Sequence, residues 1–398
     1  MAPATKIMIS KRLKQLRLAR GLSLDALATE IGGIVTRQAL SKYELGKSQP
    51  SPVLLNKLAQ ALGVKSEYFF REQSIQVRFI AYRKGSGLGK REQEKVLNFV
   101  RQALEERIRL QELIQEVNCY ELPVQAFRVE TLHDAERAAL DLRVRWNLGL
   151  DPIASVTGML EAHFIHVIEI DASEKFDGIS AAAYSEEGQV VAAAVVSRRG
   201  VPGERQRLNL THELGHLVLN VSENVDYEKA AFRFGGALLA PQEMVLREMG
   251  AKRTLIPTEE LLLFKRRFGM SLQALLYRLR YLGIITDSYY KRWCIDINRL
   301  GWRTREPFEF EPEQPQWLRQ NVLRALAEGI VTKDEAERML GETIEMEEPL
   351  SLIGRRAFMK LSLEERRRIM AEQAYKMAQY YEQDQEWKEL QGGDIVEY

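Results

Sequence analysis

The stretch Arg207-Leu208-Asn209-Leu210-Thr211-His212-Glu213-Leu214-Gly215-His216-Leu217-Val218-Leu219 decides how the chain is read. Its apolar residues recur at helical spacing and no proline interrupts them, which predicts a helix. Residues four apart share one helix face. Two imidazoles at that spacing can hold one zinc ion, and Glu213 between them is placed to take a proton from a water held at the metal. The chain has five histidines, and two of them fall here at the required spacing. Leu208, Leu217 and Leu219 can bury part of the helix and set the histidines at the edge of a core. Two blander readings compete: a buried helix whose histidines happen to lie four apart, and a metal site that has lost activity.

The rest of the composition bounds the class. A length of 398 residues argues for two or three domains. Hydrophobic residues make up 45% and charged residues 28%, which fits a globular protein and excludes a disordered one. Cys119 and Cys294 are too few for a disulfide scaffold, so a reducing compartment, the cytoplasm, is expected. The N-terminus shows no signal-peptide core, and no stretch reaches the roughly 18 apolar residues of a membrane span, so no membrane partner is expected. Charge is uneven. Residues 1–70 hold eleven Lys/Arg against four Asp/Glu, a balance of +7, while residues 369–398 hold two against seven, a balance of −5. A basic head suits a polyanion.

That head reads as a run of short helices: Ile9 to Leu18, Leu24 to Ile31, Arg37 to Glu44, Val53 to Leu62 and about Ser66 to Phe70. Gly21, Gly46 and Gly63 stop three of them, and Ser23, Thr36 and Ser51 can cap the next. The second and third, joined by a tight turn, form a helix-turn-helix whose third helix would enter the major groove. Arg37, Gln38, Ser41 and Lys42 point outward there and are of types that meet base edges and phosphates. The segments Arg12-Leu13-Lys14-Gln15-Leu16-Arg17, Gly21-Leu22-Ser23, Thr36 to Glu44, Gly46-Lys47 and Ala61-Leu62-Gly63-Val64 closely resemble the lambda-repressor/Cro-like (XRE) domain. That resemblance implies double-stranded DNA as partner and Thr36, Arg37, Gln38, Ser41, Lys42 and Lys47 as its contacts. The sequence departs from the family in two places. Leu24 stands where glutamine usually meets a phosphate, and Gly32-Gly33-Ile34-Val35 lengthens the turn by one residue.

Between head and body, Ile75, Val77 and Phe79 alternate as in a strand, and residues 83–90 form a basic glycine-rich hinge. A long helix, about Glu92 to Glu116, follows with Val96, Val100, Leu104 and Ile108 on one stripe. It can space two domains, pair with its copy in a dimer, or pack on the body. In the body, His133 to Trp146 and Ile153 to Glu161 read as helices. His163 to Ile170, Ile179 to Tyr184 and Val190 to Val196 read as strands. This is an α+β plan with a small sheet beside the His212 helix. His163 and His166, three apart on a strand, face opposite ways and make a poor ligand pair. The third ligand must come later, from Glu223, Asp226, Glu228 or Glu243. Glu228 opens a helix, Tyr227 to Leu239, whose small residues let it pack closely on the first.

The run from Glu228 through Ala231, Phe234, Leu238, Leu239 and Pro241 resembles the second motif of ImmA/IrrE-type metallopeptidases. Arg143, Trp146, Pro152, Glu161, Phe176-Asp177-Gly178 and Ser180 upstream extend the likeness, as do Ser271 to Leu275 and Tyr277 to Ile285 downstream. Phe232 and Gly235 replace the family's asparagine and alanine. The resemblance implies zinc held by His212, His216 and Glu228, with Glu213 as the catalytic base. It also implies a protein substrate such as an XRE-type repressor, whose cleavage relieves regulated genes.

Farther on, two helices at Pro257 to Phe268 and Ser271 to Leu282, a linker at Pro307 to Pro315 and a helical hairpin at Leu318 to Leu340 are expected. Arg278 and Arg280 can face substrate or solvent. A capped helix starts at Leu361 and leads to an acidic tail that resembles the end of small antitoxin-like proteins. Tyr375, Tyr380, Tyr381 and Trp387 there could dock on a toxin or another protein, or the helix could fold back onto the chain's own peptidase body.

The whole reads as a multidomain chain: an all-α helix-turn-helix head, an α+β zincin-like metallopeptidase body with a small sheet, and a mainly helical C-terminal region. The expected spans are 7–70, a hinge and connecting helix at 71–130, the peptidase at 131–293, a helical extension at 294–348 and the tail at 349–398. The expected function is a homodimeric, DNA-binding zinc endopeptidase that regulates transcription. The alternative is a non-enzymatic autoregulating regulator or antitoxin with a structural or silent metal site.

Overall fold

The structure, a computed structural model, describes residues 3–71, 75–81, 88–114, 121–345 and 358–383. Contacts divide the chain into two units, Met1–Glu342 and Thr343–Tyr398.

The first unit begins with helices α1 (Pro3–Ala19), α2 (Leu24–Glu30), α3 (Arg37–Glu44) and α4 (Pro52–Ala61), then a 3₁₀ turn at Ser66–Phe70. Ser23, Thr36 and Ser51 each accept the capping hydrogen bond at a helix start, as their side chains predict. Leu13, Leu16, Leu27, Leu40, Leu58 and Phe69 are fully buried in one cluster. Arg17 grips Glu44 through two bonds of 2.6 and 2.8 Å, tying α1 to α3. The lengthened turn between α2 and α3 holds Gly32 and Gly33 at φ of +81° and +68°, a region open to glycine at little cost.

Four strands form the main sheet: β1 (Gln76–Ala81), then, later in the chain, β3 (Ile165–Ile170), β4 (Gly178–Tyr184) and β5 (Val190–Arg198). Their order is β1-β4-β5-β3, antiparallel except for the parallel β5–β3 pair. Alternation decides the faces. Ile165, Val167, Ala182, Ala193 and Val195 enter the large inner core, while Ile168, Ile170, Ala181, Ala183, Ala192, Ala194 and Val196 enter the outer one. Alanines at the sheet's centre let helices sit close on both faces.

The outer face is covered by α5 (Lys90–Leu113), whose Val96, Val100 and Leu104 are fully buried there. The stripe considered as a dimer seam is therefore spent on the protein's own sheet. Helix α5 also carries the head. Arg12 of α1, nearly buried, bonds Glu105 at 2.5 Å, and the Tyr68 hydroxyl donates to the same carboxylate at 3.0 Å. Burial beside Glu105 pushes the Tyr68 phenol well above its usual range. Residues 82–87, most of the expected hinge, and Cys119 lie outside the described residues.

Then come β2 (Phe127–Val129), α6 (Leu132–Arg145) and α7 (Val156–Ala162). The inner face of the sheet receives α8 (Gly203–Val218), which carries the His-Glu-x-x-His motif and runs into β6 (Leu219–Val221); β6 pairs in parallel with β2. Helices α9 (Tyr227–Leu239), α10 (Gln242–Met249), α11 (Thr258–Phe268), α12 (Leu272–Tyr281) and α13 (Asp287–Arg299) build the rest of the inner core. Arg278, expected to face substrate or solvent, is buried at the cleft wall, where Glu136 holds it at 2.7 Å.

The stretch 307–315, expected as a linker, is a strap over the start of α8. Gly203 N–H donates to Phe310 O at 2.8 Å, Glu313 N–H to the Gln206 side chain at 2.7 Å, and Arg207 pairs with Glu313 at 2.6 Å. A Cβ on Gly203 would sit 2.5 Å from Glu311 O, so the crossing needs glycine. Helices α14 (Trp317–Ala327) and α15 (Lys333–Leu340) follow as a hairpin, and Glu335 returns to Lys65 of the head at 2.5 Å. In the second unit, α16 (Leu363–Gln383) starts at a Ser362/Glu365 capping box. The side chains of Tyr380 and Tyr381, and all of Trp387, lie outside the described residues.

Candidate metal centre and nucleic-acid interface

Helices α8 and α9 cross closely because glycines face the contact. A Cβ on Gly215 would meet Ala231 at 3.1 Å, and one on Gly235 would meet Thr211 Oγ1 at 3.0 Å. That approach brings the first turn of α9 over the histidines of α8. His212 Nε2 and His216 Nε2 lie 3.0 Å apart. Glu228 places Oε2 3.4 Å from the first and Oε1 3.6 Å from the second. Among the described residues, these three form the one group able to hold a metal ion. Tetrahedral bonds of about 2.0–2.2 Å give ligand-to-ligand edges of roughly 3.3–3.6 Å; both Glu228 distances match, and the two histidine nitrogens lie slightly closer than that. The histidines are buried and Glu228 is 41% exposed, so the set is open on one side.

Of the other carboxylates weighed as ligand, Asp226 caps α9 by accepting from Lys229 N–H at 3.0 Å and pairs with Lys229. Glu223 and Glu243 are not in the group. His166 is buried edge-on to Trp317, and His163 stacks on Trp146, both away from the motif histidines.

Glu213 is 4% exposed yet lines the cleft. Ser180 of β4, fully buried, sets its Oγ 2.7 Å from both the Glu213 carboxylate and its backbone oxygen. Gly178 leaves the room the carboxylate occupies, since a Cβ there would lie 2.6 Å from Glu213 Oε1. Sequence comparison noted both residues only as family matches; no pattern in one strand reveals that it props up a helix read from elsewhere. Tyr227 stacks on the His216 ring, with centroids 4.4 Å apart, and its hydroxyl donates to His216 O at 3.3 Å. Burial, with Glu213 and Glu228 adding to it, pushes the phenol up to about 12, so it stays protonated as a donor. This contact makes Tyr227 a support for His216. Phe232, where the family has asparagine, lies against His212 with ring centroids 4.0 Å apart.

The cleft holds about 690 Å³ and extends from His212 and Glu213 past α12 and α13 to residues 302–309. That is the size of a ligand pocket, commonly about 300–1,000 Å³.

On the head, Thr36, Arg37, Gln38, Lys42 and Lys47 are exposed and Ser41 is half-buried. Arg37 meets Asp25 only loosely, at 3.6 Å with both side chains exposed. The first turn of α3 is therefore available to a groove. No described helix is long and apolar enough to cross a membrane.

Comparison with known proteins agrees with this geometry. Residues 13–69 match the helix-turn-helix family model, and residues 180–280 match the peptidase family model of the IrrE N-terminal-like domain. Over 64 residues the chain is 38% identical to the SPbeta prophage-derived uncharacterized HTH-type transcriptional regulator YonR of Bacillus subtilis (strain 168). That match spans 16% of this chain and 57% of the relative. The chain thus joins an XRE-type helix-turn-helix segment of the transcriptional-regulator kind to a peptidase domain of the IrrE/ImmA-like family.

Proposed function

We propose that the protein is a DNA-tethered zinc endopeptidase that regulates transcription by cutting a repressor-type protein. One observation carries this reading. Glu213 faces the cleft beside the His212, His216 and Glu228 donors and is held there by Ser180. A structural metal site has no use for a carboxylate so placed.

Zinc bound by these three residues would supply Lewis acidity toward a water and toward the scissile carbonyl. Glu213 takes the proton of the attacking water and passes it to the leaving amine. Ser180 fixes the carboxylate during both transfers. The strand β1 stands at the sheet edge next to β4, and among the described residues no strand pairs with its outer side. An extended substrate can add to such an edge. DNA is read by Thr36, Arg37, Gln38, Ser41, Lys42 and Lys47, with two copies on a two-fold operator. We assign a further protein partner, such as a toxin, to the C-terminal tail, where Tyr375 of α16 is exposed. The protein acts in the cytoplasm.

A second reading, a regulator with a silent metal site, draws on one feature. His216 Nδ1 is buried without a hydrogen-bond partner among the described residues, whereas ligating histidines usually donate from that atom. Metal analysis tests the centre on which the proposal stands. The purified chain is expected to hold about one zinc, and His216→Ala none. Wild type that stays metal-free after reconstitution overturns the proposal.

A further inference from the structure

We infer that the cleft selects substrates by a bulky apolar side chain, aromatic for preference, placed close to the scissile bond; this rests on the peptidase reading above. Three of the protein's exposed large apolar side chains gather in this one cleft: Phe232 at 42%, Tyr277 at 48% and Tyr281 at 40% exposure. Tyr290 and Trp302 line it as well. Rings that remain exposed together beside reactive groups mark a recognition surface.

The charges in the cleft are largely spent on other partners. Glu306 and Glu204 serve Lys265, which is fully buried. Arg278 and Arg233 share Glu136, Arg205 meets Asp177 at 3.4 Å, and Glu309 meets Arg305 at 3.7 Å. Lys229 and Arg303 line the cleft too, Arg233 covers the Tyr281 ring, and Arg280 lies beside Tyr277 and Tyr290, so the ring surface offered to a ligand is mainly that of Phe232, Tyr277 and Tyr290. Tyr277 and Tyr290 stand edge to face with centroids 6.1 Å apart, the arrangement that accepts a third ring. Phe232 on His212 puts ring surface against the metal ligands, so the selected side chain lies within a few residues of the cut.

The selection has a size. A single methylene in an apolar pocket changes kcat/KM by about 10–200-fold, so phenylalanine against alanine should differ by at least about tenfold.

The test uses the full chain loaded with zinc and a degenerate mixture of blocked peptides, with cut sites read by mass spectrometry. Phe, Tyr, Trp, Leu or Met should be enriched at one position within three residues of the cut. Tyr277→Ala combined with Tyr290→Ala should flatten that enrichment while cleavage elsewhere continues. Tyr290→Phe should leave it intact.

A binding arm uses the Glu213→Gln chain and a labelled Gly-Ser octapeptide with one central Phe or Ala, followed by anisotropy. Phe should bind at least about tenfold tighter, and the double Tyr variant should erase the difference. Cleavage without positional preference, or a preference the double variant leaves unchanged, overturns the inference and spares the peptidase. Phe-selective binding without cleavage spares the pocket and defeats the peptidase. Equal binding of both probes with no cleavage defeats both.

Discussion

Gly178→Ala is the sharpest local test of how Glu213 is held. The added Cβ would lie 2.6 Å from Glu213 Oε1, 2.7 Å from Cγ and 2.9 Å from Cδ. Non-bonded carbon atoms rest at about 3.5–4.0 Å, so the carboxylate arm must retreat by about 1 Å. It cannot retreat freely, because Ser180 bonds its Oε2 at 2.7 Å and the surroundings are buried. A displacement of about 1 Å in a reacting group can cost about 10²-fold in rate. Overpacking should also lower stability, by about 1–3 kcal/mol. His212, His216 and Glu228 are untouched, so zinc stoichiometry should equal that of wild type. The assay pairs metal analysis with cleavage of the degenerate peptide mixture, at a temperature where thermal unfolding shows the variant folded. A folded, zinc-loaded variant that cuts at the wild-type rate would refute the placement of Glu213 and the function built on it.

Other perturbations probe the head and the outer core. Arg37→Ala with Gln38→Ala should lose sequence preference more than overall affinity, and wild-type binding should weaken steeply with salt as counterions are displaced; equal affinity for specific and random duplexes would count against the assigned contacts. Burial, with Arg107 adding to it, holds the His166 imidazole down to about 3, against roughly 6.5 unfolded. Between those values the unfolded chain binds a proton that the folded chain refuses, so stability falls as pH drops through that window, with a slope approaching one proton. His166→Phe, which keeps a ring against Trp317, should remove that part of the slope; denaturant titrations from pH 7 to 4 that stay parallel to wild type would show that His166 is not buried neutral.

Much of this arrangement is legible in sequence because periodicity reports burial directly. The bounds of α3 and α9 follow from Thr36, Gly46, Asp226 and Pro241 at their ends. The unbroken apolar run from Val190 to Val196 shows a strand buried on both faces. Other features depend on contacts far apart in the chain. The strands β2 and β6, three residues each, carry too little pattern to stand out, and exist because the ends of two helical segments meet. The strap at 307–315 reads as a linker because its proline and glutamate content is linker-like, yet its backbone is bonded to Gly203 and Gln206 about a hundred residues earlier. Arg278 looks like a surface residue of a helix until Glu136, 142 residues away, is found beneath it. At the site, the His-Glu-x-x-His spacing shows two donors and the carboxylate between them. The support from Ser180, the space above Gly178 and the ring of Phe232 are products of packing between elements, which spacing within one element does not encode.

The central claim is tested most directly by a pair of proteins, wild type and Glu213→Gln, each co-expressed with a helix-turn-helix repressor encoded beside the gene. Glutamine keeps the shape and hydrogen-bonding of the side chain but cannot take a proton from water at neutral pH. Both proteins should purify folded and with equal zinc, while the repressor should be cut only by wild type, the variant being slower by roughly 10²–10⁴-fold. A repressor cut equally by both, or left whole by wild type together with every peptide of the degenerate mixture, would contradict the account.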